Sequence, residues 1–205
     1  MVNPLSKVAR EIVLGCLLGD GCVRKPNATA KSGINYYRHY KFQIRHSPTQ
    51  KEYVNWLYSH LKPLCHSEPK EYRYLNKRLN KYYSCIDLIT RTNSFFTRLR
   101  KLYYPTGKKE IKRKILNQLT PLSLAVWYMD DGTTDHKKQV WLATNSYSYE
   151  QHLIIKDYFK EVWNIDVNIV KERNQFKIAF TILGGKAFCK LIRPYIIPSM
   201  EYKLI

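Results

Sequence analysis

Two apolar segments that each end in Asp-Gly, placed at matching points of two successive passes through one order of elements, restrict this chain more than any other feature. The first is Val13-Leu14-Gly15-Cys16-Leu17-Leu18-Gly19-Asp20-Gly21 and the second is Leu124-Ala125-Val126-Trp127-Tyr128-Met129-Asp130-Asp131-Gly132. Other stretches echo in the same order: His46-Ser47-Pro48-Thr49 against Asn145-Ser146-Tyr147-Ser148, and Lys101-Leu102-Tyr103-Tyr104-Pro105 against Arg193-Pro194-Tyr195-Ile196-Ile197-Pro198. Repetition of this kind is the mark of duplication, so the fold should contain two similar halves. A pseudo-two-fold molecule follows, and duplex DNA is itself a pseudo-two-fold ligand.

Hydrophobic periodicity fills in the elements. Ser6 can cap a helix over residues 6–20, in which Val8, Ile12, Gly15 and Gly19 recur at helical spacing. Strands are expected at 22–25 and 36–46, the latter alternating His39, Lys41, Gln43 and Arg45 against Tyr40, Phe42 and Ile44. A helix then runs from Ser47-Pro48 to Leu61, followed by strands at 71–75 and 82–90 and a helix at 93–103. The order restarts where Thr120 caps and Pro121 occupies the first helical position. In this pass strands are expected at 139–145, 166–171 and 177–182, with helices at 149–163 and 186–193. The predicted class is α+β: two αββαββα halves, residues 1–105 and 120–205, joined by a linker over 106–119. A central helix pair and two antiparallel sheets complete the expectation.

Charge narrows the partner. The chain of 205 residues carries 35 Lys and Arg against 16 Asp and Glu, a formal net charge of +19. That imbalance suits a polyanion, and nucleic acid leads. A membrane partner is not expected, because the basic residues are scattered among Tyr, Asn and Gln and no apolar run approaches ~20 residues. Cys16, Cys22, Cys65, Cys85 and Cys189 are odd in number and form no C-x-x-C pair, which argues against a disulfide framework or a zinc knuckle. The apolar N-terminal run is interrupted by Glu11 and lacks a small-residue cleavage site, so no signal peptide is read there. An intracellular setting is expected, in an organelle or a prokaryotic cytoplasm.

The chemistry lies at the two helix ends. An aspartate at a helix C-terminus sits where the dipole already concentrates negative charge, so a cation is required beside it. With the helices packed through Gly15, Gly19 and Ala125, Asp20 and Asp131 would meet among free helix-end carbonyls. Hard oxygens in that arrangement favour Mg²⁺, with Mn²⁺ or Ca²⁺ able to take the same places, and a phosphate can supply further ligands. Asp131 rather than Asp130 is the equivalent of Asp20, since each directly precedes glycine. Gly19 and Asp130 are then expected to contribute backbone carbonyls only. No histidine shows ligand spacing, and none is assigned to metal.

These two motifs resemble the signatures of the LAGLIDADG family in its single-chain, two-motif branch. Leu119-Thr120-Pro121-Leu122-Ser123, Tyr195-Ile196-Ile197-Pro198 and Tyr202-Lys203 are similar to that branch as well. Val126 departs from the small residue expected in the second motif. The resemblance implies a monomeric homing endonuclease that reads a long duplex site through two antiparallel sheets, hydrolyses both strands with a divalent metal and leaves short 3′ overhangs, with no protein partner required. It also implies one catalytic lysine per half, which by position are Lys109 and Lys203. Side chains suited to the major groove are Arg24, Lys25, His39, Lys41, Gln43, Arg45, Arg73 and Lys81 in the first half. In the second they are Lys137, Lys138, Gln139, Lys171, Arg173 and Lys177. Two rival readings use the same scaffold: an RNA maturase acting on a host intron, and a DNA-binding regulator without catalysis.

Overall fold

The computed structural model describes residues 5–26, 39–135 and 139–205. The chain forms two compact units, one of Met1–Arg10 and Asp20–Leu102, the other of Glu11–Gly19 and Tyr103–Ile205. Helix α1 (Lys7–Leu18) therefore gives its first turn to the first unit and the remainder to the second. Ser6 starts it as expected, its hydroxyl accepting the Ala9 N–H at 3.1 Å.

In the first unit, β1 (Cys22–Arg24), β2 (Lys41–His46), β3 (Lys70–Asn76) and β4 (Lys81–Ile89) form an antiparallel sheet in the order β1-β2-β4-β3. Two helices, α2 (Lys51–Leu61) and α3 (Ser94–Tyr103), belong with it. Phe42, Ile44 and Leu88 are buried on one face, where Phe42 stacks on Phe96 of α3. Pairing across the strands puts Arg24, Lys41, Gln43, Arg45, Asp87 and Lys81 on the other. The part of the expected strand before residue 39 lies outside the described residues.

The second unit repeats the plan. Its helices are α4 (Arg113–Leu116), α5 (Pro121–Asp131), α6 (Tyr149–Trp163) and α7 (Ile182–Ile192). Its strands β5 (Gly132–Thr134), β6 (Val140–Leu142), β7 (Val167–Glu172) and β8 (Gln175–Phe180) follow the order β5-β6-β8-β7, the same topology as the first sheet. The α+β expectation thus holds, with one four-stranded antiparallel sheet in each unit. Strand β5 and helix α4 were not foreseen, because elements of three or four residues are too short for a period to register. The strand expected to reach residue 182 ends at Phe180: the Thr181 hydroxyl accepts the Gly184 N–H at 3.0 Å and starts α7 instead.

Helix α5 is buried from Leu122 through Met129, which suits a helix packed on all sides rather than on one stripe. Thr120 caps it, accepting the Ser123 N–H at 3.3 Å. The second half of α1 lies directly on it. A Cβ on Gly15 would sit 2.4 Å from the Ser123 carbonyl oxygen and 2.8 Å from the Val126 Cβ. Val126, the departure from the family pattern, occupies the space that the missing Gly15 side chain leaves. The Ser123 hydroxyl closes the contact by donating to the Glu11 carbonyl at 2.9 Å.

Backbone atoms cannot yield to a new methyl group as a flexible side chain can. Gly15→Ala should therefore destabilise the protein by about 1–3 kcal/mol, read as a lower urea midpoint at unchanged slope. Gly107→Ala, where nothing stands within 4 Å of the added carbon, should be limited to the smaller cost of its positive φ.

Candidate active site

The first motif delivers Asp20 one residue beyond Gly19. Its carboxylate is half exposed at 47%, and Oδ2 lies 3.6 Å from Nδ1 of His46. His46 ends β2, is only 2% exposed and packs edge-on against Tyr53 at 5.2 Å between ring centroids. No role was expected for His46. Its signal was the echo between His46-Ser47-Pro48-Thr49 and Asn145-Ser146-Tyr147-Ser148, which marks equivalent positions rather than a ligand spacing.

The second motif ends at Asp131, the last residue of α5. The helix runs straight into β5, and the Asp131 carbonyl accepts the Ala143 N–H at 2.9 Å. Gly132 is extended rather than left-handed, yet glycine is required there, since a Cβ would fall 2.1 Å from the Tyr128 ring. Asp130 presents more than a carbonyl: a Cβ on Gly19 would lie 2.5 Å from the Asp130 Cβ and 2.7 Å from its Oδ2. The Asp130 carboxylate therefore flanks the C-terminus of α1, and Gly19 must be bare to admit it.

Both lysines reach these helix ends. Lys109 Nζ donates to the Gly19 carbonyl at 2.7 Å. Lys203, 9% exposed, donates from Nζ to the Met129 carbonyl at 2.5 Å and to the Asp130 carbonyl at 3.3 Å. Each ammonium thus binds the carbonyl of the residue just before Asp20 or Asp131. The cation that the helix dipoles call for is in part supplied by the protein itself. Lys203 is held from behind, because its own carbonyl accepts the hydroxyls of Tyr128 at 2.6 Å and Thr134 at 2.5 Å. Tyr147 secures the other end of the contact, donating its phenol to the Leu18 carbonyl at 2.9 Å.

The groove-reading candidates divide by face. Arg24, Lys41, Gln43, Arg45 and Lys81 share the open face of the first sheet, and Lys25 is exposed just beyond β1. Burial, then the neighbouring Arg24 guanidinium, lowers the Lys41 ammonium from its ordinary pKa. Arg73 lies on the opposite face, its guanidinium 5.5 Å from the Tyr82 ring centroid. His39 is turned to α3, with Nδ1 3.2 Å from the Thr97 hydroxyl. In the second sheet Lys177 shares its face with Trp141 and stands 4.4 Å over that ring. Lys171 pairs with Phe176 on the other face, Arg173 forms the hairpin turn at φ 57°, and the Gln139 amide donates to the Phe180 carbonyl. Lys137 and Lys138 lie outside the described residues.

Residues 10–188 match the LAGLIDADG DNA endonuclease family. The chain belongs to that family. The structure of the homing endonuclease I-WcaI bound to its DNA recognition sequence superposes at a TM-score of 0.86 with 27% identity, covering 98% of this chain and 87% of that one. The DNA endonuclease I-ChuI of Chlamydomonas applanata is 26% identical over 98% of this chain and 95% of its own length. The RecA protein of Mycolicibacterium chitae is 27% identical over 98% of this chain, which spans about half of that protein, 47%.

The tyrosines that fix this LAGLIDADG site also set an alkaline limit. Burial pushes the Tyr128 phenol up from 10 to about 12, and burial followed by the Asp131 charge holds Tyr147 well above 10. The unfolded chain releases these protons near pH 10 while the folded one keeps them. Their contribution to stability is complete below pH 10 and is lost as pH rises through 12, at ~1.4 kcal/mol per pH unit for each phenol. Urea unfolding from pH 8 to 12 should show this decline, and Tyr147→Phe should make it shallower. At pH 8 the same substitution, which leaves the Leu18 carbonyl without its donor, should cost about 1–3 kcal/mol.

Proposed function

We propose that this protein is a site-specific DNA endonuclease that hydrolyses both strands of a duplex. One observation carries the reading: an ammonium group stands on the carbonyl that precedes each motif aspartate, Lys109 on Gly19 and Lys203 on Asp130. A structural Asp-Gly turn or a passive DNA-binding scaffold would need neither lysine. The similarity to I-ChuI over nearly the full length of both chains supports the same reading.

Asp20 and Asp131 are the carboxylates that would hold a divalent cation, of which Mg²⁺ fits hard oxygen donors best. The donor set is suited to it, because carboxylate oxygens are hard ligands and a helix C-terminus favours a cation beside it. Bound there, the ion would lower the pKa of an attacking water and neutralise charge on the phosphate. The protein's own contribution is positional. Each ammonium places a fixed positive charge at a motif helix end, where it can offset charge that develops on a phosphate. Lys203 is the better fixed of the two, since Tyr128 and Thr134 clamp its main chain. The basic faces of the two sheets would bind the duplex, with the large positive charge giving affinity that falls with salt.

Incubation with Mg²⁺ and a randomised duplex library, followed by sequencing of the ends, tests the proposal. Cut duplexes with a common flanking sequence and short 3′ overhangs are expected. Asp20→Asn and Asp131→Asn should each reduce cleavage by at least ~10³-fold, and Lys203→Met by about 10²-fold, with duplex binding retained in gel shifts. Tight binding of structured RNA with no cut duplex would overturn the nuclease reading in favour of an RNA-directed role.

A further inference from the structure

The open face of the first sheet holds a carboxylate in its midst. Asp87, 7% exposed, sits on β4 between Arg45 of β2 and Lys70 of β3, with Lys41 near enough to feel its charge. Four hydrogen bonds converge on it. Arg45 Nε donates to Oδ1 at 2.7 Å and Arg45 Nη2 to Oδ2 at 3.1 Å. Gln43 Nε2 at 2.7 Å and the Tyr72 hydroxyl at 2.9 Å also donate to Oδ2. Three of these donors meet Oδ2 and one meets Oδ1, so both oxygens of this buried carboxylate are engaged by the protein's own side chains. Gln43 is buried beneath this arrangement as well. The group that remains accessible is Arg45, its side chain 44% exposed.

Arg45 is fixed in every respect that matters for recognition. Its Nε and Nη2 form one edge of the guanidinium, and that edge is docked on Asp87. Its Cζ lies 5.2 Å from the Tyr72 ring centroid and 5.8 Å from that of Tyr74. What is left is the end edge, with one N–H from each of Nη1 and Nη2 directed in parallel. Two parallel donors at that spacing match O6 and N7 of guanine in the major groove, and no other base offers two acceptors there. An unsupported arginine would first have to give up several rotamers on binding, whereas this one is already ordered.

We propose that Arg45 reads a guanine and that Asp87 is the positioning residue that makes the reading specific. The inference rests on the DNA-binding reading above. Asp87 carries a negative charge on a face meant for a polyanion, which costs phosphate affinity. Its return is the alignment of a single donor pair.

The test is selection of a randomised duplex library on the immobilised full chain, with the bound sequences counted position by position. The wild-type protein should prefer guanine at one position by roughly ten- to a hundredfold. Arg45→Lys keeps the charge but lacks the fork, and Asp87→Asn keeps the shape but releases Arg45. Both should reduce the preference at that same position to about threefold or less and leave other positions unchanged. Asp87→Asn should in addition bind unselected duplex as tightly as the wild type or more tightly. Circular dichroism checks the fold, and Asp87→Ser gives the same readout where Asp87→Asn does not fold. An unchanged profile in the Asp87 variants overturns the inference, as does uniform loosening or relaxation at a position different from that of Arg45→Lys. A wild-type protein that enriches no sequence at all overturns the DNA-reading assignment itself, and with it this proposal.

Discussion

Gly15 and Gly19 let the second half of α1 lie on α5 at a separation that any side chain would prevent. The rest of the site depends on that approach. The Ser123 carbonyl and Val126 fill the space over Gly15, the Asp130 carboxylate fills the space over Gly19, and the C-terminus of α1 is thereby set against the last turn of α5. A helix end exposes carbonyls that have no partner within the helix. Here Tyr147 satisfies Leu18, Lys109 satisfies Gly19, and Lys203 satisfies Met129 and Asp130. The close contact creates an electronegative place, and the chain answers it with two ammonium groups.

Charge is handled by opposite means at the two places that matter. At the helix ends cations offset main-chain oxygen atoms, and at the open face of the first sheet an anion organises cations. Asp87 accepts from Gln43, Arg45 and Tyr72, and its hydrogen bond, then its charge, raise the Arg45 guanidinium further above its already high pKa. Burial of an unpaired carboxylate would be costly, and donors on both of its oxygens offset that cost. A formal charge of +19 describes the long-range attraction, while these local arrangements decide what a captured ligand meets.

The repeat made the topology legible, because Asp20-Gly21 and Asp131-Gly132 flag equivalent helix ends and the strand order then follows twice. Caps were equally readable: Ser6 and Thr120 each accept the backbone N–H expected of them. Lys203 could be placed through its match to the family pattern, although its clamp by Tyr128 and Thr134 arises only when residues far apart in sequence fold together. His46 and Asp87 stayed hidden for the same reason. One was an apparent member of a strand's inward row and the other an acid in an otherwise ordinary strand; strand register reveals Arg45 opposite Asp87, and only the folded chain brings Asp20 and Tyr53 to His46. Period two assigned Arg45 to the open face but could not foresee that Gln43 beside it would be buried. Arg73 falls on the other face because it pairs with Ser84, a register that the residue types alone do not determine.

The second unit is assembled from segments that are not contiguous: residues 11–19 and 103–205. A ribosome releases the first of these long before the second, at ~5–20 residues per second. For several seconds or more the apolar run from Ile12 to Leu18 has no α5 to lie on, since Pro121–Asp131 has not yet been made. Pairings so remote along the chain also close slowly once both parts exist. The nascent chain must therefore carry an uncovered greasy helix until residues 121–131 emerge, an interval in which chaperones or mutual association of nascent chains compete with correct folding.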